Sequence, residues 1–392
     1  MDRADGTIIP PDTWWLTDAA AQKLCRAIEA GGHKIYFVGG CVRDALLGRF
    51  GGDVDLSTDA LPEQVITLAS AAGLKSVPTG IAHGTVTVVA DGTPFEITTF
   101  RRDVETDGRR AVVAFSDNIT DDARRRDFTM NALYADVQGR LIDPLEGLPD
   151  LLARRVVFIE DASARIREDY LRILRYFRFS ALFTAPDQGY DPEVLAAISA
   201  NIDGLETLSA DRIGLEIRKL LAAPDPAPTL AVMRQIGVLP AILPASDDRW
   251  ISVLVHMETL AGVQPDWICR LAGLGGEDVV SRMRLSRADA SALEKIRGAA
   301  LGSQKIAEIA YRHSGHIAEQ ALVLRAALTE TQPDPLGLET IKSATEAQFP
   351  IRATDLMPQF TGPALGARLA LLEQRWIDSS FTLSRDALLA TP

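Results

Sequence analysis

The chain has 392 residues and a formal net charge of -12, with 47% hydrophobic and 24% charged residues. This balance is typical of a folded protein long enough for two or more domains, and it excludes an intrinsically disordered chain. No apolar run is long enough to span a bilayer, and residues 1–5 are charged and lack the features of an export signal. For this reason we expect no membrane partner. The three cysteines are widely spaced and form no disulfide framework, which fits a reducing cytoplasm.

The acidic net charge at first argues against a nucleic-acid partner, because phosphate neutralisation usually needs lysine and arginine. Arginines are nevertheless concentrated, with seven in residues 101–126 and another seven in residues 154–178. A confined basic surface can coexist with an acidic remainder. Composition therefore leaves the partner open.

The predicted elements fall into two regions. Runs of β-branched residues separated by glycines predict strands at 33–38, 53–57, 85–90, 95–101, 132–137 and 140–143. Helices are predicted at 41–47 and 62–72. Asp91-Gly92 and Gln138-Gly139 are hairpin signals. From about residue 150 the periodicity is helical, and the proline-rich segment 224–228 interrupts it. We predict an α+β fold with a mixed α/β head at 1–148, a helical neck at 149–223 and a helical body at 224–392.

The first candidate site combines a glycine turn with two aspartates. Gly39-Gly40 lies just before Arg43, and Asp53-Val54-Asp55 follows on the next predicted strand. Side chains alternate along a strand, so Asp53 and Asp55 share a face and suit a cation such as Mg²⁺. The glycines let the backbone approach a phosphate at a helix N-terminus, and the arginine adds a forked cation. The alternative is a solvated turn, but the combined pattern favours a metal and phosphate site.

Other residues leave two interpretations open. Glu96 is either a third carboxylate facing the metals or a structural partner of an arginine. Arg126 and Asp127 suit a triphosphate and a ribose hydroxyl, but a salt-bridged helix end would look similar. Trp14-Trp15 suits base stacking, although we expect it to anchor the N-terminus in a core.

A last charged segment follows at residues 168–178. If this segment is one helix, residues three apart share a face, which would align Asp169, Arg172, Arg175 and Arg178. An ordinary amphipathic surface helix has the same pattern.

The order of four motifs adds specificity. They are GGxVRDxxLG at 39–48, DxD at 53–55, RRDFTxNAL at 125–133 and EDxxRxLRxxRF at 168–179. This order resembles the bacterial class II tRNA nucleotidyltransferase/poly(A) polymerase family, in its CCA-adding type, over residues 33–221. No histidine is followed by aspartate, so the additional HD phosphohydrolase domain is not expected.

The resemblance implies an enzyme that uses Mg²⁺, CTP and ATP to add C and A nucleotides to the 3′ end of tRNA without a nucleic-acid template. It also implies residue roles: Asp53 and Asp55 bind the catalytic metals; Gly39, Gly40, Arg43 and Arg126 contact the triphosphate; Asp127 contacts the ribose; Asp169 and Arg172 read the base; Arg175 and Arg178 support them. Cytosine and adenine both present an amino donor beside a ring-nitrogen acceptor, which a carboxylate and an arginine match.

Two alternatives remain at this point. A poly(A) polymerase shares the head and neck motifs and would differ in the length of its product. A non-catalytic RNA-binding or nucleotide-binding protein is the alternative of another class, and the presence of both metal-site aspartates counts against it.

Overall fold

The computed structural model describes residues 8–49, 51–107, 110–185 and 188–390. The charged residues 1–5 and Arg109 of the first arginine-rich stretch lie outside this part of the chain. The chain forms two compact units, Met1–Leu208 and Ser209–Pro392. The finer division into head, neck and body stays a prediction.

The first unit is built on a mixed sheet. Its strands are β1 (Ile35–Val38), β2 (Asp55–Thr58), β3 (Lys75–Gly80), β4 (Thr85–Ala90), β5 (Thr93–Thr99), β6 (Arg101–Asp107), β7 (Arg110–Phe115), β8 (Tyr134–Ala135) and β9 (Leu141–Ile142). Seven strands follow the order β3-β4-β5-β2-β1-β8-β9, while β6 and β7 form a separate antiparallel pair. In the larger sheet β2 and β5 are parallel, and the other neighbouring strands are antiparallel.

Helices surround this sheet and continue beyond it. They are α1 (Trp14–Thr17), α2 (Ala19–Ala30), α3 (Gly40–Leu46), α4 (Pro62–Ala71), α5 (Ile119–Arg124), α6 (Gly147–Leu152), α7 (Ala162–Glu168), α8 (Leu171–Phe183) and α9 (Pro192–Ser199), with 3-10 turns at Ile81–His83, Thr129–Asn131 and Ile202–Thr207. Val86, Ile97 and Leu56 are paired across β4, β5 and β2 and are fully buried. Because α2 and α4 contact β4, we place their apolar faces on this side of the sheet, which leaves the alternate side chains for a site on the opposite face.

The α+β fold and both predicted hairpins are confirmed. Asp91 and Gly92 have φ values of 48° and 86°, which is the twist that a two-residue hairpin needs. The second hairpin turns at Gly139, but its strands are only two residues long. The predicted strand at 53–57 begins later, at Asp55.

The predicted continuous helix over 168–178 is wrong. α7 ends at Glu168, Asp169 is extended with φ -154° and ψ 104°, and α8 begins at Leu171. The Asp169 carboxylate accepts a hydrogen bond from the Leu171 backbone N–H at 3.1 Å, and such local bonds compete with a continuous helix. Asp169 therefore lies in the joint between two helices and does not share a helix face with Arg172.

The second unit is helical. Its helices are α10 (Ala210–Leu221), α11 (Ala227–Gln235), α12 (Val238–Ile242), α13 (Arg249–Ala261), α14 (Trp267–Leu274), α15 (Val279–Arg282), α16 (Arg287–Leu301), α17 (Ile306–Arg312), α18 (Gly315–Thr329), α19 (Gly337–Glu346), α20 (Ala353–Leu356), α21 (Gly362–Asp378) and α22 (Arg385–Leu389). The break predicted at 224–228 is confirmed, since it falls between α10 and α11. Within the described ranges, no helix combines the length and apolar character needed to cross a membrane.

A fully buried arginine joins three elements of this unit. The Arg270 guanidinium on α14 pairs with Glu258 on α13 at 2.7 Å, and the two side chains are 0% and 2% exposed. The same guanidinium donates to the Leu221 carbonyl at 2.7 Å, where α10 ends, and to the Pro224 carbonyl at 3.1 Å. Arg270 thus satisfies carbonyl groups that a helix end leaves without an internal partner.

Replacing Arg270 by methionine should lower the free energy of unfolding by about 3–5 kcal/mol, because it leaves Glu258 as a buried, uncompensated charge. Arg385→Met is a matched control, since Arg385 pairs with Asp355 at the surface of the same unit. Urea unfolding followed by circular dichroism measures both variants. Equal stabilities of the two variants would contradict the conclusion that Arg270 compensates a buried charge.

Candidate active site

Carboxylates form a row across the open face of the sheet. Asp55 on β2 is directly paired with Glu96 on β5, and Glu96 is paired with Thr87 on β4. Asp53 lies two residues before Asp55, in the segment that leads into β2. All four residues line one cavity of about 430 Å³.

The surroundings of Asp55 favour its protonated form. The pKa of Asp55 is raised above its ordinary value, first by desolvation in the cavity and then by the negative charges of Glu96 and Asp53. Arg126 acts in the opposite direction and lowers it. Asp55 therefore lies in negatively charged surroundings, which a bound cation would compensate.

The donor set suits a cation that also takes ligands from a substrate. Among the residues with described positions, no group of three or more His, Cys, Asp or Glu side chains is arranged to hold a metal ion. Mg²⁺ is commonly bound by one or two carboxylates together with water and substrate phosphates, so a complete protein cage is not required. Asp53 and Asp55 fit this mode of binding.

The glycine turn lies at the beginning of α3. Gly39 is the N-cap residue, and its backbone has φ 73° and ψ -118°. Residues with a Cβ rarely adopt this backbone conformation. Its backbone N–H donates to the Leu133 carbonyl at 3.0 Å. A Cβ at this position would lie 3.3 Å from a guanidinium nitrogen of Arg126. The turn is thus closely packed against Arg126, and Gly40 is the first residue of the helix.

Arg126 connects the turn to the acidic row. Its guanidinium donates to Asp122 at 3.0 Å, to the Tyr134 hydroxyl at 3.1 Å and to the Ser57 hydroxyl of β2 at 3.3 Å. Burial alone would lower the pKa of Arg126, but Tyr134 and Asp122 raise it on balance, so the group stays charged. Ser57 lies two residues after Asp55, which places this cation beside the carboxylates.

A chain of polar side chains links three sequence motifs. Arg43 on α3 donates to the Asn131 amide oxygen at 2.6 Å and pairs with neighbouring Asp44 at 2.9 Å. Asn131 in turn donates to Asp127 at 2.9 Å, and Arg175 on α8 pairs with the other oxygen of Asp127 at 2.6 Å.

Asp127 is held ionised within this network. Burial would raise its pKa, but the charge of Arg175 and hydrogen bonds from Asn131, Arg175 and the Phe128 backbone outweigh burial and lower it. Both of its oxygens already accept hydrogen bonds from the protein. A ribose contact by Asp127 would therefore have to share an oxygen with one of these donors.

The α7–α8 region holds the backbone of the same segment. Arg165 donates to the carbonyls of Arg125 and Arg126 at 2.7 Å and 2.6 Å. Arg172 pairs with Glu168 at 2.6 Å and donates to the Arg125 carbonyl at 3.3 Å. Arg172 is thus next to the RRDFTxN segment, with Asp169 at the preceding helix joint.

Three arginines gather around one aromatic ring on α8. The guanidinium groups of Arg43, Arg175 and Arg178 lie 5.2, 5.3 and 4.0 Å from the centroid of Phe179. These distances are typical of cation–π contacts. The ring brings together cations from motifs more than a hundred residues apart.

Several residues of the site had no clear signal in the sequence. Asp122, Tyr134 and Ser57 orient Arg126, and Arg165 holds the backbone, yet none stands in a pattern that marks it. Asn131 was visible as part of the RRDFTxN string, but its bond to Arg43 was not. The aromatic pair predicted to anchor the N-terminus is divided: Trp15 is buried, whereas Trp14 is 40% exposed and lines the acidic cavity.

Comparisons with known proteins cover most of the chain. The family model for the poly A polymerase head domain matches residues 35–157, and the model for a probable RNA and SrmB-binding site of polymerase A matches residues 190–249. Mitochondrial CCA tRNA nucleotidyltransferase 1 of Danio rerio is 31% identical over 390 residues, covering 94% of this chain and 89% of that protein. The CCA-adding enzyme of Geobacillus thermodenitrificans is 39% identical over 261 residues, covering 64% of this chain and 62% of that protein.

A solved structure agrees with this similarity. The crystal structure of the Bacillus stearothermophilus CCA-adding enzyme in complex with CTP matches with a TM-score of 0.72 and 27% sequence identity. The match covers 92% of each chain. The fold and the order of its elements are therefore shared along nearly the whole length.

Gly39→Ala should lower the free energy of unfolding by about 1–3 kcal/mol, because its backbone conformation is strained for any residue with a Cβ. Gly189→Ala is the control in the same unit, since a Cβ there meets no atom within 4 Å and its φ is not positive. Urea unfolding measures both. A Gly39→Ala protein as stable as the control would contradict the conformation assigned to the turn.

Proposed function

Because the chain belongs to the CCA-adding tRNA nucleotidyltransferase family, we propose that it adds C and A nucleotides to the 3′ end of tRNA from CTP and ATP, without a nucleic-acid template. The observation that carries the proposal is the row of Asp53, Asp55 and Glu96 beside the Gly39 turn and Arg126. Carboxylates for cations and a phosphate-facing turn are the two parts that nucleotidyl transfer needs.

Asp53 and Asp55 would hold divalent cations, for which we propose Mg²⁺. When bound, such ions neutralise charge on the triphosphate and on the departing pyrophosphate. In the reaction the RNA 3′ oxygen forms a bond to the α-phosphorus, and the bond from that phosphorus to the pyrophosphate oxygen breaks. The aspartates contribute by lining one cavity, where the cations that they hold would position the reactants.

The triphosphate would lie along the glycine turn. Gly39 and Gly40 leave room at the backbone of the α3 N-terminus, and Arg126 is fixed beside them by Asp122 and Ser57. Arg43, Arg175 and Arg178 would add cations from around Phe179. Since hydrogen bonds within the protein already orient Arg43 and Arg126, little side-chain ordering is left to occur on nucleotide binding.

Base choice would depend on Asp169 and Arg172, with Asp127 near the ribose. Cytosine and adenine offer a donor to a carboxylate and an acceptor to an arginine, whereas uracil and guanine reverse the pattern. Unpaired buried polar groups are costly, so the wrong bases can be rejected without a template. The bonds from Arg172 to Glu168 and to the Arg125 carbonyl support this role, because they fix its direction.

The helical part of the chain would bind tRNA, and a cytoplasmic location remains part of the proposal. The match of residues 190–249 to an RNA-binding model supports the first assignment. A poly(A) polymerase remains the second candidate, because the matched head-domain model carries that description. Incubation with tRNA that lacks its CCA end, CTP, ATP and Mg²⁺ separates the two: three added nucleotides support CCA addition, and a long adenosine tract supports the alternative.

Asp53→Asn should reduce nucleotide transfer by more than about 100-fold, because losing even an outer partner of a metal ligand costs about 10–100-fold. Asp203→Asn is the control, since Asp203 is an exposed aspartate of the same unit outside the site. Initial rates of CTP incorporation measure both variants. Full activity of Asp53→Asn would remove the proposed mechanism.

Asp169→Ala should reduce the preference for CTP and ATP over UTP and GTP by about 10–100-fold, because it removes an acceptor for the amino group. The ratio of kcat/KM values for right and wrong nucleotides measures the effect. Glu206→Ala removes an exposed carboxylate of the same unit and should leave the ratio unchanged. An unchanged ratio in Asp169→Ala would assign base choice to other residues.

A further inference from the structure

One aromatic side chain of the acidic cavity has no part in the roles described so far. Trp14 is 40% exposed, although the adjacent Trp15 is only 2% exposed. The Trp14 side chain lines the same cavity as Asp53, Asp55 and Glu96. An exposed indole beside three carboxylates is an unusual place for a large apolar group, and it suits a ligand with a flat, uncharged face.

The backbone around Trp14 is hydrogen-bonded, and its neighbour is packed on the sheet. Trp15 packs on Phe37 of β1 with ring centroids 4.3 Å apart. The Trp14 carbonyl accepts hydrogen bonds from the Asp18 backbone at 2.8 Å and from the Thr17 hydroxyl at 3.0 Å. Ile9 is fully buried and its backbone donates to Gly139 at 2.8 Å. The indole is thus presented from a backbone that is fixed on both sides.

The cavity is separate from the residues assigned to the incoming base. Its described lining comes from α1, from residues 52–55, and from β4 and β5. Asp169 and Arg172, by contrast, lie at the α7–α8 joint, where Arg172 contacts the Arg125 carbonyl. The reaction brings two nucleotides to the carboxylates, and the second of them is the 3′-terminal nucleotide of the RNA.

We propose that Trp14 stacks on the base of the 3′-terminal nucleotide of the RNA and so positions its 3′-hydroxyl at Asp53 and Asp55. This inference rests on the proposed function. A base is uncharged and has a π face, so it tolerates the acidic wall that would repel a phosphate. The cavity volume of about 430 Å³ lies within the range of small-ligand sites, about 300–1,000 Å³. Stacking is tolerant of base identity, as it must be for an end that changes with each addition.

The test is a double-mutant cycle between Trp14 and the terminal base of the RNA. The wild-type enzyme and Trp14→Ala are each given tRNA lacking its CCA end, with either a normal or an abasic terminal nucleotide that keeps its 3′-hydroxyl. We expect the abasic end to lower kcat/KM for RNA about tenfold in the wild type, as one lost base–aromatic stack predicts. Trp14→Ala should show the same loss on normal RNA and no further loss on abasic RNA.

Further variants separate positioning from folding. Trp14→Phe keeps an aromatic face and should restore most of the activity, whereas Trp14→Gln should behave like Trp14→Ala and replaces it if the alanine variant is unstable. Leu152→Ala is the control, because Leu152 is 63% exposed in the same unit and outside the cavity. The KM for CTP should stay unchanged in every variant.

Three results would overturn the inference. The first is a Trp14→Ala enzyme that equals the wild type on both RNAs. The second is a loss from Trp14→Ala that multiplies with the loss from the abasic end. The third is a rise in the KM for CTP in place of the effect on RNA. A wild-type enzyme that fails to extend the truncated tRNA would instead contradict the proposed function.

Discussion

The ion pair between Arg175 and Asp127, extended through Asn131 to Arg43, holds the site together. It joins α8, the RRDFTxN segment and α3, which are distant in sequence. Arg43, Asp127 and Asn131 are buried, and therefore the loss of one partner would leave another without compensation. The network thus fixes the relative positions of the three motifs before any substrate arrives, which is the preorganisation that transfer chemistry uses.

The carboxylates of the acidic row, in contrast to this network, are not each paired with an arginine. Asp53, Asp55 and Glu96 face a cavity, and the pKa of Asp55 is raised by desolvation and by its neighbours. Arg126 offsets only part of this repulsion, since it is itself shared with Asp122 and Ser57. Charges that position the site are paired inside the protein, whereas charges that would meet cations are left partly uncompensated. The division explains how one small region can contain so many ionisable groups and still fold.

The sequence predicted those features that are determined by residues adjacent in the chain, such as turns. The Asp91-Gly92 pair predicted a hairpin that the structure contains. Strand alternation does not account for Asp53, because β2 begins at Asp55, and Asp53 borders the same cavity from the preceding segment. The sequence offered Glu96 as a third carboxylate or as the partner of an arginine, and it could not decide between them, because the parallel pairing of β2 with β5 depends on contacts between distant segments. The helix assigned around Asp169 failed for a local reason, since its carboxylate bonds the backbone two residues ahead. Spacing of three residues alone does not show that two residues lie on one helix.

The net charge of -12 is acidic for a chain with two arginine-rich stretches, and several of those arginines are used within the protein. Arg126, Arg165 and Arg172 come from the two arginine-rich stretches, yet they bind carboxylates, hydroxyls and backbone carbonyls within the first unit. Such arginines contribute less to a general attraction for the phosphate backbone than exposed ones would, because their donors are already in use. Around these three arginines, contacts to RNA would depend more on shape, on the bases and on cations held at the carboxylates. An exposed indole in the cavity is consistent with that dependence, since stacking needs no positive charge.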